Sequence, residues 1–224
     1  MTATPERMQA APASSRHFAS GGFAFVGLLL VTFALQGGTQ PTRESAAASV
    51  KAYFHAHAGN IEASQVLISL GIAALLWWLG GVWLRLQAAD HQFPGAATAA
   101  VVGLAAGAAL VFVDIAFYAT AAVGATRFGA GTELLLFDAS TAAVLLSGLG
   151  LAVFLAATCV LNRRARFFPR WTDYLGSATA VAFVLGATGI ATETNTMVTI
   201  AYAATAAWCL WVAAVSVSMW RRHA

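Results

Sequence analysis

The stretch Ala96–Gly124 reads AATAAVVGLAAGAALVFVDIAFYATAAVG, and within it only Asp114 carries a charge. A helix that crosses a bilayer needs roughly 20 apolar residues, and this run exceeds that without a proline. Strands of a membrane barrel alternate apolar and polar residues, whereas this run is continuously apolar. The stretch therefore predicts a transmembrane α-helix at 96–124.

Five further apolar runs flank it, at about 21–37, 62–86, 133–161, 174–191 and 196–220. Together they predict an all-α, polytopic membrane bundle of six transmembrane helices within residues 21–220. The composition agrees: 59% of residues are hydrophobic, 9% are charged and the mean hydropathy is +0.73. A soluble domain carries about 25% charged residues, which this chain cannot put on its surface. Residues 1–20 are Ala/Ser/Pro-rich and read as a disordered cytoplasmic N-terminus. The first apolar run is the shortest, and Thr32 and Ala34 are small enough for a signal-peptide cleavage site. An uncleaved first helix is the reading retained.

Residues 39–60 are polar but patterned. Pro41 and Glu44 suit a helix start, Gly59 suits a stop, and Val50, Tyr53, Phe54 and His57 share one helical face. The segment predicts a short extracytoplasmic amphipathic helix, lying on the membrane surface or capping the bundle.

Orientation follows from the basic residues. With the N-terminus inside, the cytoplasmic segments hold Arg7, Arg16, Arg85, Arg163, Arg164, Arg166, Arg170, Arg221 and Arg222, and the outer ones hold only Arg43, Lys51 and Arg127. Both ends are then cytoplasmic, N-in and C-in, and the location is a bacterial plasma membrane. The net charge of +3 does not point to nucleic acid, because the arginines cluster beside apolar runs. Cys159 and Cys209 fall inside apolar runs and read as packing residues, with no CxxC spacing.

The stretch Arg166-Phe167-Phe168-Pro169-Arg170-Trp171-Thr172-Asp173-Tyr174-Leu175-Gly176 resembles a PRW-x-x-x-LG element. That element precedes the penultimate span in uncharacterised multi-pass membrane proteins of actinobacterial type. The resemblance covers about ten residues and implies topology and location only. The residues have their own logic: Pro169 suits a first helical position. Arg166, Arg170 and Trp171 suit a lipid headgroup interface.

Ionisable groups inside apolar runs are the functional pointers, since a central Asp costs about 2.5–3.5 kcal/mol on insertion scales. Asp114 has Tyr118 one turn later on the same face, and Asp138 lies at a similar depth in the next run. Glu62 and Glu193, with Gln36, Gln65, Glu133 and Asn195, extend this into a candidate polar vestibule opening outward. Two close carboxylates would share a proton or bind a cation. The competing reading is that Asp114 and Asp138 bond to Tyr118, Ser140 or Thr141 and hold helices together. His55 and His57 are two residues apart, which points them in different directions and disfavours a shared metal. Gly103 and Gly107 form a GxxxG pair suited to close helix packing. No nucleophile–base pair, phosphate loop or dinucleotide fingerprint appears. The expectation is a non-enzymatic membrane protein without cofactor or metal, structural or regulatory, contacting lipid and another membrane protein. The alternative is a small proton- or cation-coupled transporter using Asp114 and Asp138.

Overall fold

The structure, a computed structural model, describes residues 12–36, 40–192 and 195–221. Its six long helices are α1 (Pro12–Gln36), α2 (Ala47–Ala89), α3 (Ala96–Gly124), α4 (Ala130–Ala165), α5 (Arg170–Ala187) and α6 (Asn195–Arg221). Single 3₁₀ turns, Asp90–Gln92 and Thr188–Ala191, follow α2 and α5. All six helices are long and apolar enough to cross a membrane. Each turns a large apolar side chain outward: Leu30, Leu70, Val102, Leu135, Val181 and Leu210 are all more than half exposed.

Consecutive helices are neighbours and α6 returns to pack on α1, so the six close into a ring. The connections α1–α2, α3–α4 and α5–α6 gather at one end. There Lys51 donates to the carbonyl of Phe128 at 2.6 Å, and Arg43 donates to that of Gly189 at 2.6 Å. At the opposite end, the arginine end, Arg85 lies over the Phe168 ring at 5.5 Å.

Two contacts set the ring's interior. The α3–α4 crossing is backbone on backbone: a Cβ at Gly103 would stand 2.7 Å from the carbonyl oxygen of Gly150. The GxxxG pair thus serves close packing, and Gly150 answers it from α4. Towards the arginine end, Trp78, Phe154, Trp208 and Trp211 interlock with ring centroids between 5.5 and 6.4 Å apart. Each of these four side chains is at most 2% exposed, so they form a solid plug.

The third helix has the predicted bounds, but two other expectations need correction. Residues 12–20 are helical rather than disordered: Phe18 packs beside Gly80 and Gly81 of α2 and meets Trp77 at 5.1 Å, and Ala19 is fully buried. Residues 1–11 lie outside the described residues. The short amphipathic helix and the second span are one unbroken helix, α2, of 43 residues. Gly59 does not stop it. The apolar face read from the sequence continues through Ile61 and packs on the ends of α3 and α4, so burial outweighs the roughly 1 kcal/mol that a mid-helix glycine costs. At about 1.5 Å per residue α2 is about 65 Å long, twice a hydrocarbon core of about 30 Å. Its first turns therefore cap the bundle through Val50, Tyr53 and Phe54 against Ala121, Ala122 and Phe137.

Candidate functional site

A cavity of about 180 Å³ occupies the middle of the ring, with lining residues from all six helices. The reason is visible as stripes of helical spacing. On α3 the lining residues include Leu104, Ala108, Val111, Asp114 and Tyr118; on α6 they are Val198, Ala201, Tyr202, Thr205 and Trp208. Steps of three and four keep one face of a helix turned inward. From Leu104 to Tyr118 the lined length of α3 is about 21 Å, so the cavity is slender.

It is also asymmetric. The half nearer the arginine end is apolar, walled by Leu75, Leu104, Leu151 and Phe183 and floored by Trp208. The half nearer Lys51 is polar. There Asp114 accepts a short hydrogen bond from the Ser140 hydroxyl across the α3–α4 interface. Gln65, only 6% exposed, lines the same cavity, and its Oε1 has no hydrogen-bond partner among the described residues. Tyr118, Phe137 and Tyr202 supply aromatic rings. Among the described residues, no Lys, Arg or His belongs to the lining, and Asp114 is its one acidic residue.

A hydrogen-bonded collar closes in at the polar mouth. Gln36 donates to the Ser64 hydroxyl at 3.2 Å, Gln40 donates to Gln36 Oε1 at 2.8 Å, and the Tyr53 hydroxyl donates to the Gln36 carbonyl at 3.3 Å. Beside this collar Phe33 and Tyr202 line the cavity while remaining 45% and 50% exposed. That side of the cavity is open to the surroundings.

The residues read from the sequence divide. Asp114 and Tyr118 meet in the cavity. Asp138 does not line it and is half-buried. It sits two residues from Ser140, about 200° around the helix, so the bond from Ser140 to Asp114 turns Asp138 away. Among the described residues, the cavity wall thus holds Asp114 without Asp138 beside it. Glu62 is exposed on α2 and also absent from the lining. Glu193 lies outside the described residues. Glu133 is fully buried near Lys51, in the small core at the capped end rather than in the cavity, and neither of its carboxylate oxygens has a hydrogen-bond partner among the described residues. The sequence reading missed Tyr202, Thr205 and Trp208, whose stripe along α6 was the available signal.

Of the two histidines at 55 and 57, His55 is exposed and His57 is half-buried. His57 stacks on Tyr53 at 4.7 Å and engages the Tyr53 carbonyl through Nδ1 at 3.0 Å. Among the described residues, no three metal-ligating side chains gather.

The PRW-x-x-x-LG element is a pinned turn. Asn162, buried at the end of α4, accepts from the Phe168 N–H at 2.6 Å and donates to Asp173 Oδ1 at 2.7 Å. Arg166 takes the left-handed conformation that ends α4, with φ 54°. Gly176 leaves room for Trp211, whose Nε1 donates to the Thr172 carbonyl at 2.9 Å; a Cβ at Gly176 would lie 2.8 Å from that nitrogen. Arg166, Arg170 and Trp171 are exposed, as an interface role would need.

Comparison with protein-family models, curated proteins and solved structures finds no match for the chain.

Proposed function

We propose that this chain is a multi-pass protein of a bacterial plasma membrane, N-in and C-in, whose helix ring carries a cation or proton held by Asp114. The observation that carries this reading is an internal cavity in whose wall, among the described residues, Asp114 is the one carboxylate and no basic side chain takes part. A charge there is expensive in a low-dielectric setting unless something compensates it. The Ser140 hydroxyl supplies a hydrogen bond but no counter-charge, so a mobile cation or a proton completes the site. The membrane setting is supported by six apolar helices with large apolar side chains turned outward. The orientation rests on the arginine-rich α4–α5 turn, with Arg166, Arg170 and Trp171 at the headgroup level.

A second reading has one observation behind it. The bond from Ser140 to Asp114 also ties α3 to α4, as a non-enzymatic structural or regulatory subunit of a larger membrane assembly would need.

Proteoliposomes containing the full chain separate the two. Imposed proton, sodium or potassium gradients should drive a flux that Asp114→Asn abolishes and Asp138→Asn leaves intact. Absence of flux under all three gradients, or equal flux in the Asp114→Asn protein, favours the subunit reading and removes the carrier.

A further inference from the structure

We propose that the cavity binds a protonated amine with a slender apolar tail, its ammonium group between Asp114 and Gln65 and its tail running towards Trp208. The inference rests on the reading of Asp114 as a charge-holding group, and it names what that group holds.

Charge sets the sign of the ligand. Among the described lining residues an anion would meet a carboxylate and no basic side chain, and a neutral apolar molecule would leave Asp114 uncompensated. Donor chemistry narrows the class further. Gln65 Oε1 is an acceptor buried in the wall without a donor among the described residues, and such an atom costs free energy until an N–H reaches it. An ammonium group offers three N–H donors, enough for the carboxylate and the amide together. Tyr118, Phe137 and Tyr202 line the same half of the cavity, and a cation that sits over an aromatic ring gains from its quadrupole.

A bare metal ion fits less well. Hard divalent cations are held chiefly by carboxylates and carbonyls, and among the described lining residues Asp114 is the one carboxylate, the other polar side chains being neutral amides and hydroxyls. A metal ion would also leave the apolar half of the cavity unused. That half extends along α3 to Leu104 and ends on Trp208, a path that suits a hydrocarbon tail. The volume of about 180 Å³ is somewhat larger than the roughly 150 Å³ of an apolar cavity that takes up benzene. One phenyl ring with a short alkyl amine is therefore of the right size. Entry is available where Phe33 and Tyr202 are half exposed.

The test is calorimetric titration of the purified full chain in mild detergent with phenethylammonium. Methylammonium (head without tail), 2-phenylethanol (tail without charge) and 3-phenylpropanoate (opposite charge) are the comparison ligands. Phenethylammonium should bind, and each of the other three should be weaker by about tenfold or more. Asp114→Asn should weaken phenethylammonium by about tenfold or more, Gln65→Leu should weaken it several-fold, and Asp138→Asn should leave it unchanged. Should Asp114→Asn fail to fold, the ligand series on the unmodified chain decides alone. No binding of phenethylammonium, equal binding of 2-phenylethanol, or binding unchanged in a folded Asp114→Asn protein would overturn the amine site. Gradient-driven flux through Asp114 without amine binding removes the amine and keeps the carrier; amine binding without flux does the reverse.

Discussion

Asp114 and Asp173 are two acids on apolar helices with opposite surroundings. Asp173 sits in the first turn of α5, 5% exposed, and accepts from Asn162, which in turn accepts from the Phe168 N–H. It belongs to a closed network of short hydrogen bonds. Asp114 receives one hydroxyl and otherwise faces a cavity shared with an unpartnered amide oxygen. A carboxylate whose neighbours are all fixed holds structure together. A carboxylate fronting open space with few fixed partners is available for something that comes and goes. The residue type is the same; the neighbours differ, and so does burial, Asp114 being half-buried.

The comparison breaks most visibly at Asn162. Asn162→Ala removes the donor to Asp173 and the acceptor for Phe168 together, leaving buried polar groups without partners. Each such group costs about 1–3 kcal/mol, so the loss should reach about 3 kcal/mol. Thermal unfolding in mild detergent should show this as the largest fall of any change discussed here. A melting temperature equal to that of the unmodified chain would mean that the α4–α5 turn is not held as described.

Gly150→Leu attacks the other side of the comparison by pushing α3 off α4. Even a Cβ at Gly150 would stand 2.6 Å from the amide nitrogen of Gly107. Overpacking of this kind costs about 1–3 kcal/mol. It should also separate Ser140 from Asp114, so that phenethylammonium binding and melting temperature fall together. A protein that loses stability but keeps binding would show that Ser140 does not position the carboxylate.

Asp114→Asn should act in the opposite direction on stability. It removes a half-buried charge that has no counter-ion among the described lining residues, while keeping an oxygen for the Ser140 hydroxyl. A gain of about 1 kcal/mol is expected, as functional sites often trade stability for chemistry. A loss as large as that of Asn162→Ala would place Asp114 in the same structural class as Asp173 and erase the contrast.

How much of this was legible beforehand follows from the type of signal. The six helices were, because an apolar run of span length has few other solutions. Residues 96–124 even matched in their bounds. Asp114 and Tyr118 were legible as a costly acid with a partner one turn away. The role of Asp138 was not, because depth along a helix says nothing about which way a side chain turns. That direction became fixed only when Gly103 and Gly150 set how α3 and α4 cross. Gln65 could be seen as a polar residue in an apolar run, but its lack of a donor depends on five other helices. Asn162 was passed over because it lies beside arginines, and the turn it pins is formed by residues up to eleven positions away.

The smallest effect tests the place where local pattern and tertiary packing disagreed, the junction at Gly59. The sequence pattern placed a helix end there, which would call for a backbone conformation that favours glycine. The structure has Gly59 inside α2, exposed, with nothing within 4 Å of an added Cβ. In a continuous helix, Gly59→Ala reduces the conformational freedom of the unfolded chain and adds no clash. Stability should rise by about 0.7 kcal/mol, read as a small increase in melting temperature with amine binding unaltered. At a true helix end with positive φ the same alanine would be strained, and stability would fall. The sign alone therefore decides whether α2 carries Tyr53 and Phe54 rigidly over the polar half of the cavity or ends beneath them. A fall would detach the capping segment from the helix that supplies Gln65 to the site.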